Sequence, residues 1–150
     1  MFRGLSVILG VCFLFVAGVA NAADKKETVS QMMQAAISHY NKVGQEQAFK
    51  DFAVKDSEYN HGEYYIFVTD LKNSKLVFHG ANERLVGKNL TKLKDTDGKS
   101  FVIAMREVAN GPGEGWVDYK WPHPVTKKIA QKNSYVKTSG DVYFVIGYFE

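Results

Sequence analysis

Cysteine occurs once in the 150 residues and proline three times. One cysteine excludes a disulfide framework within the chain, covalent c-type haem and any thiolate metal cluster. With so little proline, and 13 glycines that follow no period, collagen-like and proline-rich disordered classes are excluded too. Neither sign of charge dominates: 19 basic against 16 acidic residues leave a net +3. So small an excess does not argue for nucleic-acid binding, which usually goes with a concentrated basic face. Motifs of catalysis are missing as well. There is no nucleophile elbow, glycine-rich phosphate loop or His-Glu-x-x-His. His39, His61, His79 and His123 show no ligand spacing. Asp95-Thr96-Asp97-Gly98 starts like a calcium loop but lacks the downstream ligands and closing glutamate, so it reads as a turn. No metal or cofactor is therefore expected. What remains, 45% hydrophobic and 23% charged, is the composition of one ordinary folded domain.

The first 22 residues read as an export signal. Arg3 is the only charge before Asp24, Leu5 to Ala20 is an apolar run, and Ala20-Asn21-Ala22 has the small-x-small pattern that precedes cleavage. An uncleaved anchor is the alternative, with the run at the short limit for a spanning helix. Cleavage before Ala23 removes Cys12, so the exported domain, residues 23–150, depends on its packed core. The expected location is the periplasm.

Asp24 to Glu27 reads as a polar leader. A helix is expected from Thr28, with Gln31 as its capping-box partner. Val29, Met32, Met33, Ala36, Ile37, Tyr40 and Val43 recur at helical spacing to Gly44, and a second helix is expected over Gln45 to Val54. Asn60-His61-Gly62 reads as a loop. Tyr64 to Asp70 and Lys75 to His79 read as a hairpin about the turn Lys72-Asn73-Ser74. Gly80 to Gly98 is polar loop, with Leu85-Val86-Gly87 and Leu90 as buried pegs. A third helix spans Lys99 to Ala109 and stops at Asn110-Gly111-Pro112-Gly113. Strands then follow over Gly115 to Trp121, Ile129 to Thr138 and Val142 to Phe149. Five strands with helices segregated from them argue for an α+β fold with a largely antiparallel sheet.

The informative chemistry lies near the C-terminus. Alternation puts Val117, Tyr119 and Trp121 on one face of a strand and Trp116, Asp118 and Lys120 on the other. Tyr119 and Trp121, with Lys132 and Tyr135 on the next strand, offer ring walls, hydroxyls and a cation. Such parts can hold a small organic anion, because water exclusion strengthens hydrogen bonds to a carboxylate. Ordinary sheet packing uses the same residue types.

Several pieces in order resemble the extracytoplasmic single Cache sensory domains. They are the long helix with Gly44, Tyr65-Ile66-Phe67-Val68-Thr69-Asp70, Leu76-Val77-Phe78-His79-Gly80, Leu85-Val86-Gly87-Lys88-Asn89-Leu90 and Lys94-Asp95-x-Asp97-Gly98-Lys99. The most specific are Gly115-Trp116-Val117-Asp118-Tyr119-Lys120-Trp121-Pro122-x-Pro124 and Lys132-x-Ser134-Tyr135-Val136. The resemblance implies a PAS-like antiparallel sheet of five or six strands with a long N-terminal helix along it. It also implies a pocket between the sheet and residues 80–109. The ligand it implies is a short carboxylate such as acetate, pyruvate, propionate or lactate. Tyr119, Trp121, Lys132, Tyr135, His79, Phe67 and Arg106 are the implied pocket residues.

The implied partner is a membrane chemoreceptor or histidine kinase, with the long helix as a candidate homodimer contact. Glu150 follows the last strand directly, so the expectation is a stand-alone binding module rather than a receptor. An exported interaction scaffold without a small ligand is the alternative. An enzyme built on His79 with Asp118 or Tyr135 is not expected, because no nucleophile, base and orienting group form a recognisable set.

Overall fold

The computed structural model describes residues 21–150. Residues 1–20, most of the expected export signal, lie outside the described residues. Helix α1 (Ala22–Val43) starts six residues before Thr28. The reason is a capping box about two turns upstream. The Asn21 side chain accepts from the backbone N–H groups of Ala23 and Asp24, and the Asp24 carboxylate accepts from the Asn21 N–H. Thr28 is then interior to the helix and its hydroxyl donates back to the Asp24 carbonyl. The residues read as a polar leader are thus helical.

Gly44, at φ +82°, turns the chain out of α1 and into α2 (Gln45–Phe52). Six strands follow rather than five: β1 (Asn60–His61), β2 (Tyr64–Asp70), β3 (Leu76–His79), β4 (Glu114–Pro122), β5 (Ile129–Ser139) and β6 (Val142–Phe149). The extra strand is the short β1, read from sequence as loop, which pairs with Tyr64 and Tyr65. All neighbours are antiparallel, in the order β1-β2-β6-β5-β4, with β3 on the β1 side of β2. Helix α3 (Phe101–Asn110) and a 3₁₀ turn (Glu83–Leu85) lie in the crossing between β3 and β4. In that crossing Leu85 and Leu90 are partly buried, but Val86 is exposed, against expectation. Asp95 organises the following turn. It accepts from the N–H groups of Asp97 and Lys99 and, across to β4, of Lys120.

β6 is buried along its whole length because both faces of the sheet are covered. On one face Phe144, Ile146 and Tyr148, with Ile66 and Val68 of β2, pack against Val29, Met32, Met33 and Ala36 of α1 and Phe52 of α2. On the other, Tyr143, Val145 and Phe149, with Tyr65, Phe67, Val117, Tyr119 and Val136, pack under Phe101, Val102 and Met105 of α3. The second core holds the candidate site.

Candidate functional site

Strand alternation turns Lys132, Ser134 and Val136 of β5 into this second core. Register sets Lys132 opposite Tyr119 on one side and Phe149 on the other. Gly147 makes the space: a β-carbon there would come within 2.8 Å of the Lys132 Cε, 2.4 Å of the Ser134 Oγ and 2.6 Å of the Asn133 carbonyl. A glycine inside an apolar strand is the sequence signal of such a close approach.

Lys132 has no solvent exposure. Its Nζ donates to the Tyr65 hydroxyl at 2.8 Å and sits 3.9, 5.2 and 5.7 Å from the ring centres of Tyr65, Phe149 and Phe67. Among the described residues it makes no ion pair. Burial in this ring cage holds the ammonium down to about 7 from its ordinary value of 10.5, with the charge of Glu63 pulling the other way. Tyr65 was missed in reading the sequence. It lies two residues before Phe67, so strand alternation puts both on one face. Burial raises the Tyr65 hydroxyl well above its usual range.

Beside this pair is a small hollow with room for a molecule of only a few heavy atoms. Phe67, His79, Tyr119 and Trp121 line it. Lys132 and Tyr65 stand just outside that lining. Leu76, Phe101, Val102 and Met105 make the rest of the wall apolar. Phe101 stacks flat on Tyr119 at 4.3 Å, and the Tyr119 hydroxyl is 3.2 Å from the Ser134 Oγ. Burial pushes the Tyr119 hydroxyl up, against the pull of Ser134.

His79 accepts at Nδ1 from the N–H groups of Ala81 and Asn82. That leaves Nε2 as the proton-bearing nitrogen, a donor with no protein acceptor among the described residues. Burial, then the charge of Lys132, lowers His79 to about 3, so the ring is neutral. His79 and Trp121 also line a solvent-open cleft with Tyr65, His123 and Lys127, and so stand between the hollow and the outside.

Two expected residues are not at this place. Tyr135 is three positions from Lys132, and an odd separation on one strand sends the two side chains to opposite faces. Tyr135 stacks on Trp116 at 5.1 Å and donates to the Glu114 carboxylate at 2.7 Å, and burial with that contact pushes it up to about 12. Arg106 lies outside the buried stripe of α3, which is Phe101, Val102, Met105 and Ala109, and is exposed. Its charge reaches the Tyr143 hydroxyl of the hollow's lining. Among the described residues no cluster of His, Cys, Asp and Glu could hold a metal ion. No helix there is long and apolar enough to cross a membrane.

The chain is 29% identical over 117 residues to the methyl-accepting chemotaxis protein McpP of Pseudomonas putida. The match covers 78% of this chain and 21% of that protein, so the chain spans about a fifth of its relative's length. Two solved structures share the fold over 85% of the chain, each with a TM-score of 0.70. One is a periplasmic sensor domain of a chemotaxis protein, 20% identical and covered over 96% of its length. The other is a Cache chemosensory domain described for carboxylic acid recognition, 24% identical and covered over 94%. The family profile described as Cache domain (dCache_2) matches residues 21–150, the whole sheet with both of its helical layers, and the chain belongs to the Cache domain family.

Proposed function

We propose that this domain is an exported sensory module that binds a short-chain carboxylate in the hollow beside Lys132 and presents the bound state to a membrane chemoreceptor or histidine kinase. The observation that carries this reading is the buried, unpaired ammonium of Lys132. Among the described residues two of its three donors lack a protein partner, and an unpaired buried cation is costly. A carboxylate supplies the missing charge and acceptors. The Nε2–H of His79 and the Tyr119 hydroxyl are further donors near the carboxylate. The apolar wall of Phe101, Val102 and Met105 suits a short alkyl or keto tail. The small free space favours ligands of a few heavy atoms and disfavours dicarboxylates, for whose second charge the lining has no cation. A structural relative described for carboxylic acid recognition, and a relative that is a chemotaxis receptor, support the same class of ligand and partner.

A thermal-shift screen on protein freed of carried-over ligand tests this. Acetate, propionate, pyruvate or lactate raises the melting temperature, because a ligand that binds only the folded state stabilises it. Lys132→Met abolishes the rise. Flat curves with every monocarboxylate reject the reading. An interaction scaffold without a small ligand is the second reading, and the opposite face of β4 favours it, where Trp116 is exposed beside Tyr135 and Lys26.

A further inference from the structure

We infer that a carboxylate entering this site brings a proton with it, so that above neutral pH the domain takes up one anion and one hydrogen ion together. The inference rests on the carboxylate reading above and adds to it how pH regulates the same site.

Geometry comes first. The Lys132 ammonium is caged by three aromatic rings and hydrogen-bonded to a hydroxyl, not to a carboxylate. The titratable groups packed around it are few. β2 contributes Tyr65. β3 contributes His79, whose Nδ1 is occupied by two backbone N–H groups. β4 contributes Tyr119, bonded to Ser134. β6 contributes only the Phe149 ring at this point. Lys55, which donates to the Gly80 carbonyl, adds a further positive charge on the His79 side.

The acid whose charge reaches Lys132 is Glu63, in the turn just before β2. Glu63 is engaged elsewhere. Its Oε1 lies 3.0 Å from the Lys25 Nζ and accepts from the Phe149 N–H, and its Oε2 lies 3.6 Å from the His123 Nε2. Nothing among the described residues neutralises Lys132 directly, and burial of an unpaired ammonium favours the neutral amine. The value near 7 is the expression of that arrangement.

A carboxylate at the site reverses the balance, since an opposite charge within a few ångströms favours the ammonium. Capture of the anion and protonation of the amine then reinforce each other, and by linkage each strengthens the other equally. The step balances simply. A proton leaves water or buffer, one N–H bond forms at the Lys132 Nζ, and the ammonium pairs with the carboxylate. Below neutrality the amine already holds its proton and none is taken up. Above it, affinity falls about tenfold per pH unit until the raised value of the complex is reached.

Isothermal titration of the ligand-free protein with propionate, in phosphate and in Tris, reads the proton directly. Uptake approaches one proton per propionate at about pH 8.5 and vanishes at about pH 6, with roughly tenfold weaker binding for each unit above neutrality. Equal affinity at all pH values with buffer-independent heats overturns the inference and leaves the carboxylate reading standing. No propionate binding at either pH overturns both. His123→Gln retains the uptake; if uptake disappears with binding intact, the proton belongs to His123 and the inference fails. An NMR titration with carbon-labelled lysine gives an independent reading. A Lys132 signal that titrates near neutrality without ligand and shifts upward with propionate supports the coupling, and one that titrates at the ordinary lysine value overturns it.

Discussion

Lys132 makes the fold's own stability depend on pH. Its folded value of about 7 lies below the ordinary 10.5, so within that window the unfolded chain binds more protons than the folded one. Stability therefore rises with pH across the window, by up to about 1.4 kcal/mol per unit. Below it both states carry the charge, and the cost of burial is at its greatest. Lys132→Met removes the charge and keeps an unbranched apolar stem. In urea unfolding the variant is more stable than the parent at about pH 7, and the gap narrows by about pH 9. A gap that stays constant or widens rejects an unpaired buried ammonium. His79 acts in the same sense in a lower window. Its value is lowered from 6.5 to about 3, so the stability it contributes is present above 6.5 and lost as pH falls toward 3. His79→Gln is expected to flatten the loss of melting temperature between about pH 6 and pH 4.

At the scale of elements, β6 shows how one missing side chain builds the site. Gly147 faces the Lys132 stem, and two of the three atoms that an added β-carbon would meet cannot yield easily, being a backbone carbonyl and a short buried hydroxyl side chain. Gly147→Ala is expected to cost about 1–3 kcal/mol by overpacking and to weaken any carboxylate-induced thermal shift, both measurable in one melting experiment. A variant with parental stability and an unchanged shift contradicts the packing argument. The elements themselves were largely legible. β2 and β6 run over the residues that their apolar and β-branched character predicts, and the alternation of Val117, Tyr119 and Trp121 was readable from β4 alone. The misses have particular causes. β1 is two residues long, too short to show a period. The start of α1 was misplaced because Ala20-Asn21-Ala22 reads in sequence as a small-x-small cleavage pattern, which hides Asn21's part as a helix cap. Tyr135 was grouped with Lys132 by nearness in sequence, although three steps along a strand reverse the face. Tyr65 was legible from the same alternation but had no chemistry to single it out until Lys132 was seen to reach it from a strand 67 residues away.

For the molecule as a whole, the sheet separates two cores, to which β2, β3 and β6 each contribute opposite faces, an arrangement that no local pattern carries because the order β1-β2-β6-β5-β4 joins distant segments. The core under α1 and α2 is built around Met33 and Phe52, each with no exposure. The core under α3 contains the hollow and Met105 in its wall. Stability and ligand choice should therefore separate under mutation. Met33→Ala is expected to cost about 2–5 kcal/mol and leave the order of preference among carboxylates unchanged. Met105→Ala costs stability too, but it also enlarges the hollow beside the apolar tail. Preference then moves from acetate and propionate toward longer chains such as butyrate or valerate, each accommodated methylene gaining up to about 0.8 kcal/mol. Titration of both variants with the same chain-length series decides between this division and a site that senses the whole fold. If Met33→Ala reorders the series as Met105→Ala does, the two cores are coupled through the sheet. If only Met105→Ala reorders it, the layer under α3 sets ligand size while the layer under α1 holds the sheet.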